Sequence, residues 1–283
     1  MRKSIVYAIA AAVAVATPNA LSAMTWPLSA CSAGGEPRVV YQNDPSWTAD
    51  LRGSATAAIT TTNPRSGNGS LELAATGNLL DWGFYRHEAA SGSFGLLSQL
   101  ECLSFDWVRE SIDTPTDVPW SAQTPVLRLY VSDNGVMSEL VWEKYYTDGS
   151  PTENDVWHTQ DLIGQNFWRV IPGQGYTIAG CAQVDPFFPN PLLTMSPSGW
   201  AGGCYSENAF ITAIAAGVGS DWPWQYHGFV DNVRMGFAGQ ETLAVNDNFE
   251  VQATPEPATM ALLATGLAAM MGTNLVRRRR RKA

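Results

Sequence analysis

The sequence predicts an all-β protein: an antiparallel two-sheet sandwich of the jelly-roll kind, with an N-terminal signal peptide and one C-terminal transmembrane helix. Short segments in which apolar and polar residues alternate recur through the middle of the 283-residue chain. Turn signals such as "SDNG" and "TDGSP" separate these segments. No long segment shows the apolar period of an α-helix, and short strands with polar turns are typical of a β-sandwich.

Alternation predicts both the strands and the side chains that face the core. The predicted strands are residues 38–41, 55–62, 69–75, 81–87, 101–108, 125–132, 138–146, 155–162, 210–219 and 227–237, with 241–251 as a further candidate. The core side chains expected on these grounds are Leu103, Phe105, Trp107, Leu127, Leu129, Val131 and Trp142.

One acidic residue interrupts this pattern. In "FVDNVRMGF" the alternation places Asp231 on the same face as Phe229 and Val233. An unpaired carboxylate is costly to bury, so Asp231 either lies where the strand leaves the core or has a partner. An arginine or backbone amides are the favoured partners, and a structural Ca²⁺ shared with residues 42–50 is the weaker alternative. No other metal or cofactor is expected.

Both ends of the chain are predicted to direct its export. Residues 1–23 combine a basic start, an apolar run and a small-residue cleavage point, which is the layout of a secretory signal peptide. The sandwich is expected over residues 24–239, followed by a linker or final strand over 240–253. A separate C-terminal segment covers residues 254–283.

The part between the two ends is acidic. Residues 24–276 hold nine of the 17 Lys and Arg residues and all 26 Asp and Glu residues, which gives a net charge of about −17. Such a surface repels phosphate backbones, and nucleic acid is therefore excluded as a partner.

Four cysteines remain after the signal peptide, and an even number in an exported chain predicts disulfides. Cys181 and Cys204 bracket a segment that is rich in Pro and Gly and has no strand or helix period. We therefore expect these two to be paired, which leaves Cys31 with Cys102. No C-x-x-C spacing occurs, so zinc or dithiol chemistry is not expected.

The sequence contains no recognised catalytic motif. His87, His158 and His227 lack metal-ligand spacing, which predicts ordinary surface or edge-strand histidines. Glu139 and Glu143 would lie about 13 Å apart on one strand, whereas glycosidases hold their two carboxyls roughly 5–9.5 Å apart. A non-catalytic protein is therefore predicted, with a glycoside-active enzyme built from carboxylates of separate strands as the alternative.

Aromatic residues are the one compositional excess, with 11 Trp, all outside the two ends. The segment "DWPWQYH" places Trp222, Trp224 and Tyr226 beside Asp and Gln. Such a cluster either caps the end of a sandwich, which is the commoner outcome, or forms a platform on which sugar rings stack. These three residues are the predicted glycan-binding site.

The C-terminal segment "TPEPATMALLATGLAAMMGTNLVRRRRRKA" has three parts. Pro255, Glu256 and Pro257 form a stiff, extended motif. Residues 258–276 are long enough to span a membrane as one helix. Residues 277–282 are basic and should stay in the cytoplasm, which places the sandwich on the other side of the membrane.

This order resembles the PEP-CTERM sorting signal of exported bacterial proteins. The resemblance implies that an exosortase, a membrane-embedded cysteine-type enzyme, recognises Pro255, Glu256 and Pro257. It also implies that residues 258–276 hold the protein transiently in the inner membrane before release to the cell surface or extracellular space. Thr254 departs from the family, in which Val commonly precedes the motif. A plain membrane anchor that is never removed is the alternative.

Together these features predict an exported protein of the cell surface or extracellular matrix. Its sandwich is expected to be adhesive or carbohydrate-binding, and its expected partners are an exosortase, the membrane through the C-terminal span, and extracellular polysaccharide. The alternatives are a glycoside-active β-sandwich enzyme and a membrane-anchored structural protein.

Overall fold

The structure, a computed structural model, describes residues 31, 35–112, 123–147, 149–184, 192–219, 225–252, 262, 265 and 266. The predicted signal peptide, almost all of the C-terminal segment, Trp222 and Trp224 lie outside these ranges. Within these ranges no helix is long and apolar enough to cross a membrane.

The described chain is mostly β-structure with two short α-helices and two short 3-10 helices, Leu97–Gln99 and Ala179–Cys181. The strands are β1 (Arg38–Tyr41), β2 (Trp47–Arg52), β3 (Thr56–Thr60), β4 (Ser70–Thr76), β5 (Trp82–Glu88), β6 (Gly95–Leu96), β7 (Leu100–Arg109), β8 (Val126–Asp133), β9 (Val136–Trp142), β10 (His158–Asp161), β11 (Phe167–Ile171), β12 (Gly175–Thr177), β13 (Gln183–Val184), β14 (Thr194–Met195), β15 (Phe210–Val218), β16 (Gln225–Phe237) and β17 (Val245–Glu250). The α-helices are α1 (Lys144–Thr147) and α2 (Pro197–Gly203).

These strands form two sheets. In the smaller sheet β10 pairs with β7 and β7 with β16. The other edge of β16 pairs with β4 along its first half and with β17 along its second. Strand β3 then flanks β4, and β1 flanks β17. The larger sheet has the order β13-β12-β11-β9-β8-β15-β5-β2. Among the described strands every pairing is antiparallel except that of β1 with β17.

The core lies between the two sheets, as the alternation predicts. All seven side chains expected there are at most 1 % exposed. The ring of Trp47, on β2, packs against Tyr85 of β5 at 5.7 Å and against Phe249 of β17 at 5.0 Å. Aromatic contacts of this kind join the larger sheet to the smaller one.

Because of a β-bulge in β16, Asp231 lies on a different side of the strand from the one predicted. The pairing with β7 moves from Asp231 opposite Asp106 to Arg234 opposite Ser104, so β16 holds one extra residue there. Val233, beyond the bulge, faces the core, whereas Asp231, before it, lies on the opposite side of the strand. The prediction that these two residues share a face is therefore wrong.

Two disulfides join the pairs that the sequence favours. Cys31 is bonded to Cys102, which ties the start of the described chain to β7. Cys181 is bonded to Cys204, which ties the turn after β12 to the end of α2. Both predicted pairings are confirmed.

Candidate functional site

The outer side of the larger sheet, which points away from the smaller sheet, carries a second apolar cluster separate from the core. Its buried members are Phe84, Val126, Val141, Trp168 and Ala215. Partly exposed residues that pack against it are Trp82, Tyr130, Val170, Tyr176 and Leu192. The side of an antiparallel sheet that faces only water carries mainly polar residues, so an apolar cluster there is unusual.

Strand β15 lies between β5 and β8 on this side. The outward residues of β15 are Ala213, Ala215 and Gly217, all of them small. A Cβ atom on Gly217 would lie 2.1 Å from the carbonyl oxygen of Gly83 and 2.5 Å from a ring carbon of Phe84. Glycine is therefore required for β5 and the Phe84 ring to approach β15 this closely.

Two arginines cross β15 in opposite directions. The guanidinium carbon of Arg86, on β5, lies 4.0 Å from the ring centroid of Tyr130, on β8. The guanidinium carbon of Arg128, on β8, lies 4.0 Å from the ring centroid of Phe84, on β5. Cation–π attraction of this kind is worth ~0.5–2 kcal/mol. Ala215 lies between the two arginines in the pairing register and is fully buried.

Each of these arginines also has a carboxylate partner. Arg86 pairs with Glu88 at 3.1 Å, and Arg128 pairs with Glu139. The side chains of Arg128 and Glu139 are each 15 % exposed, whereas that of Glu88 is 67 % exposed. Burial raises the pKa of Tyr130 above its ordinary value, and the charge of Glu139 adds to this rise. The centre of this side therefore presents hydrogen-bond donors and acceptors next to one another.

The same stacking recurs at the edge strand β2. The guanidinium carbon of Arg52 lies 4.3 Å from the ring centroid of Trp82, and the two residues are partners in the pairing of β2 with β5. Asp50 is the corresponding partner of Phe84 and is exposed. Arginine, aromatic ring and carboxylate therefore also occur together at this edge.

A row of four aromatic rings borders this side near β11 and β12. Ring centroids lie 5.0 Å apart for Tyr145 and Tyr146, 6.4 Å for Tyr146 and Trp168, and 5.6 Å for Trp168 and Tyr176. Trp168 is 6 % exposed, whereas Tyr145 and Tyr146 are 42 % and 37 % exposed. The row therefore has a buried anchor and an accessible end on helix α1.

The pairing registers arrange these side chains in two neighbouring rows that cross the strands. One row is Arg86, Ala215, Arg128, Val141 and Trp168. The other row is Glu88, Ala213, Tyr130, Glu139, Val170 and Tyr176. These two rows, with Asp50, Arg52, Trp82, Phe84, Tyr145 and Tyr146, are called the aromatic–arginine face below.

The predicted glycan-binding cluster is not part of this face. Tyr226 is 1 % exposed and belongs to the core, and burial raises the pKa of its hydroxyl above the ordinary value. Side chains alternate between the two sides of β16, and Tyr226 points inward while its two neighbours point outward. The prediction that Tyr226 stacks on a sugar is therefore wrong, and Trp222 and Trp224 lie outside the described residues.

Asp231 is fully buried, and backbone amides are its partners. Its Oδ1 accepts from the N–H groups of Asn232 at 2.8 Å and Phe249 at 2.9 Å, and its Oδ2 accepts from Ser66 N–H at 3.2 Å. Burial raises its pKa to about 7, and these hydrogen bonds offset the rise only in part. Asp44, in the segment considered for a shared Ca²⁺, makes hydrogen bonds within its own turn. In the part of the chain that the structure describes, no three His, Cys, Asp or Glu side chains are grouped to hold a metal ion.

His227 is more than the ordinary edge-strand histidine that its spacing predicts. Its Nε2 lies 2.8 Å from the carboxylate of Glu72, and its Nδ1 lies 2.8 Å from that of Glu110. Burial opposes ionisation of Glu72, but hydrogen bonds from Thr60, His227 and Thr62 hold the pKa of Glu72 below its ordinary value. This cluster joins β3, β4, β16 and the end of β7 on the outer side of the smaller sheet.

Sequence reasoning missed the aromatic–arginine face, although part of its signal was present. In "DWGFYRHE" and "PVLRLYVS" the positions opposite the core hold Trp82, Phe84 and Arg86 in the first and Arg128 and Tyr130 in the second. Large aromatic and arginine side chains at positions where alternation allows any small polar residue indicate a surface with a function.

Comparison with known proteins identifies the C-terminal segment. The family described as a PEP-CTERM protein-sorting motif matches residues 253–281. The chain therefore carries this sorting motif, as its Pro-Glu-Pro sequence, apolar stretch and arginine run predict. No curated protein matches the chain.

Solved structures similar to this chain include two carbohydrate-binding modules. A family 11 carbohydrate-binding module from Clostridium thermocellum, in complex with a β-1,3-1,4-mixed-linked tetrasaccharide, is 12% identical with a TM-score of 0.35, over 66% of this chain and 86% of that chain. The family 11 module of a cellulosomal cellulase of the same organism is 13% identical with a TM-score of 0.36, over 74% and 91%. The cellulose-induced protein Cip1 is 14% identical with a TM-score of 0.34, over 68% and 91%. Likeness at this level carries no information about the ligand of this chain.

Proposed function

We propose that this chain, which carries the PEP-CTERM sorting motif, is an exported cell-surface or extracellular-matrix protein whose β-sandwich binds carbohydrate through the aromatic–arginine face. The sorting motif supports the location, and the geometry of the face supports the binding activity.

The tail would act in three steps. Residues 258–276 hold the exported protein in the inner membrane, and the arginines after them stay in the cytoplasm. An exosortase recognises Pro255, Glu256 and Pro257 and releases the sandwich from the anchor. The match of the sorting motif to residues 253–281 supports this order.

The observation that carries the binding proposal is the mixture of side chains on the aromatic–arginine face. A sugar ring has apolar C–H surfaces and a rim of hydroxyl groups that both donate and accept hydrogen bonds. Tyr145 and Tyr146 offer exposed rings, with tyrosine also supplying a polar group. Arg86, Glu88 and Glu139 offer donors and acceptors along the two rows of the same face. Aromatic walls with a few placed polar groups are typical of ligand sites.

Catalysis is less well supported by the same face. Glycosidases place two carboxyl groups roughly 5–9.5 Å apart across the bond to be broken, and one of them must carry a proton. On this face Glu88 is paired with Arg86 and Glu139 with Arg128. Because its carboxylates are partners of arginines rather than of each other, the face is better suited to binding than to proton transfer.

A glycan array probed with the exported, processed protein tests the proposal. We expect binding to at least one polysaccharide and loss of that binding in the double variant Tyr145→Ala/Tyr146→Ala. The matched control is Tyr41→Ala, because Tyr41 is equally exposed, at 43 %, but lies on the smaller sheet. The proposal fails if no polysaccharide binds, or if the double variant binds as the wild type does.

A further inference from the structure

The charges on the aromatic–arginine face are balanced. Its cations are Arg52, Arg86 and Arg128, and its anions are Asp50, Glu88 and Glu139. Residues 24–276 as a whole carry a net charge of about −17. The face is therefore a locally neutral region of an acidic protein.

The arginines at the centre of the face already have partners. Arg128 contacts the carboxylate of Glu139 and the ring of Phe84, and Arg86 contacts a carboxylate and a ring in the same way. A carboxylate or sulfate of a ligand that approached Arg128 would also approach Glu139. Two like charges this close repel each other strongly at the surface of a protein. At this position Arg128 would attract an acidic sugar while Glu139 would repel it, so the ion pair does not favour an acidic sugar.

Repulsion acts at longer range as well. The net negative charge of the protein lowers the local concentration of any polyanion and slows its association. An uncharged polymer meets no such barrier. Its hydroxyl groups can accept from a guanidinium and donate to the neighbouring carboxylate while the ion pair between the two stays intact.

The dimensions of the face set the length of its ligand. Its longer row crosses β5, β15, β8, β9, β11 and β12. Neighbouring strands lie ~4.8 Å apart, so this row is about 24 Å long. The row runs from Glu88 on β5, which is paired with Arg86, to the ring of Tyr176 on β12, and Glu139 lies between them. A ligand that contacts both ends must be a chain of several sugar rings.

We infer that the aromatic–arginine face binds an extended, uncharged polysaccharide that lies across the strands. The inference rests on the proposed carbohydrate-binding function and narrows the ligand to one chemical class. Charge balance selects against acidic polymers, and the length of the rows selects against single sugars.

Isothermal titration calorimetry of the processed protein against two sets of soluble polysaccharides tests this inference. The neutral probes are hydroxyethylcellulose, mixed-linkage β-glucan and galactomannan, and the acidic probes are alginate and polygalacturonate. We expect heat of binding from at least one neutral probe and none from the acidic probes. The affinity should be the same at about 0.01 M and about 1 M NaCl, where the screening length is ~30 Å and ~3 Å.

The outcomes separate the inference from the function on which it rests. Binding of an acidic probe that weakens with salt would overturn the inference and leave carbohydrate binding intact. Displacement of a bound polymer by the corresponding monosaccharide at equal mass concentration would overturn the extended binding mode. Absence of binding to every probe would overturn the proposed function itself.

A charge variant tests the selection directly. The double variant Glu88→Gln/Glu139→Gln keeps the shape of both side chains and leaves their arginines without counter-charges. At one low salt concentration we expect it to bind alginate more tightly than the control variant does, because the two variants have the same net charge and differ only in where the charges were removed. The matched control is Glu101→Gln/Glu241→Gln, because both residues are exposed and lie outside the face. Equal binding of alginate by the two double variants would show that charge on the face does not select the ligand, and would overturn the inference.

Discussion

Arg38 and Asp247 lie 209 residues apart in the chain and form a two-point ion pair. Arg38 Nε donates to Oδ1 of Asp247 at 2.8 Å, and its Nη2 donates to Oδ2 at 2.7 Å. Asp247 also accepts from the indole N–H of Trp47 at 2.7 Å, and the Nδ1 of His87 lies 3.2 Å away. One carboxylate thus joins β1 and β17 of the smaller sheet to β2 and β5 of the larger sheet.

Asp247→Asn should lower the free energy of unfolding by about 2–4 kcal/mol, because the amide cannot accept from Arg38 and Trp47 at both of its atoms. Asp247 is 2 % exposed but Arg38 is 42 % exposed, so solvent screens part of the cost of a fully buried pair. The control Glu88→Gln breaks an exposed pair and should change stability by at most about 0.5 kcal/mol. Denaturant unfolding measures both, and an unchanged midpoint for Asp247→Asn would contradict the prediction.

The raised pKa of Asp231 predicts that the free energy of unfolding falls as the pH rises from about 4 to about 7. Burial raises its pKa in the folded protein to about 7, whereas an aspartate of an unfolded chain has a pKa near ~3.9. Between these values the folded protein keeps a proton that the unfolded chain releases. Rising pH therefore favours unfolding by up to ~1.4 kcal/mol per pH unit in this window, and the full cost is present above it.

Urea unfolding at several pH values across this window checks the sign, and Asp231→Asn should remove the slope. Asp155→Asn is the control, because hydrogen bonds from the hydroxyl and backbone amide of Ser111 hold the pKa of Asp155 below its ordinary value. Its contribution to stability is present above ~3.9 and is lost only as the pH falls below that value. A wild-type curve that is flat between these pH values would refute the role assigned to Asp231.

Gly217→Ala should destabilise the larger sheet by about 2–4 kcal/mol, because its Cβ would overlap the backbone carbonyl of Gly83 and not merely a flexible side chain. The same variant should weaken ligand binding, since the Phe84 ring must move away from β15. Gly164→Ala is the control, because a Cβ at that position has no atom within 4 Å. This substitution should change the free energy of unfolding by at most about 0.5 kcal/mol. Thermal unfolding of the two variants compares them, and equal melting temperatures would rule out the close approach as a constraint.

Alternation predicted those strands in which core-facing apolar residues alternate with polar or partly exposed ones. Strand β8, "VLRLYVSD", shows it cleanly, because Leu127, Leu129 and Val131 face the core and the residues between them do not. Strand β2, "WTADLR", was not predicted, since it lies at an edge and only its first residue is buried. Strand β11, "FWRVI", was missed for the opposite reason. Both of its sides are covered, and even its arginine packs over the ring of Tyr205 at 4.3 Å.

The aromatic–arginine face could not be assembled from the sequence, because its parts come from strands whose order in the sheet differs from their order in the chain. Strand β15 lies between β5 and β8, and this insertion places Arg86 and Tyr130 on the two strands that flank β15. The bulge at Asp231 could not be predicted either. One extra residue turns every later side chain to the other side of the strand, although apolar and polar residues still alternate in the sequence.

The sorting motif predicts that release of the sandwich depends on Glu256. In a host that has the sorting machinery, the wild-type protein should lose the residues after the motif. Glu256→Ala should keep them, because the substitution removes the only charge from the Pro-Glu-Pro sequence that the processing enzyme reads. Mass spectrometry of the mature protein and membrane fractionation measure the two outcomes.

Glu241→Ala is the matched control, because Glu241 is an exposed glutamate that precedes the matched residues 253–281. It should be released as the wild type is, with a mass lower only by the substitution itself. Retention of Glu256→Ala in the membrane with an intact arginine run, when the wild type is released, would distinguish a sorted protein from a plainly anchored one. A plain anchor is held by residues 258–276, whatever residue occupies position 256. If Glu256→Ala and Glu241→Ala give the same mature mass and the same fractionation, the motif is not read and the tail is only an anchor.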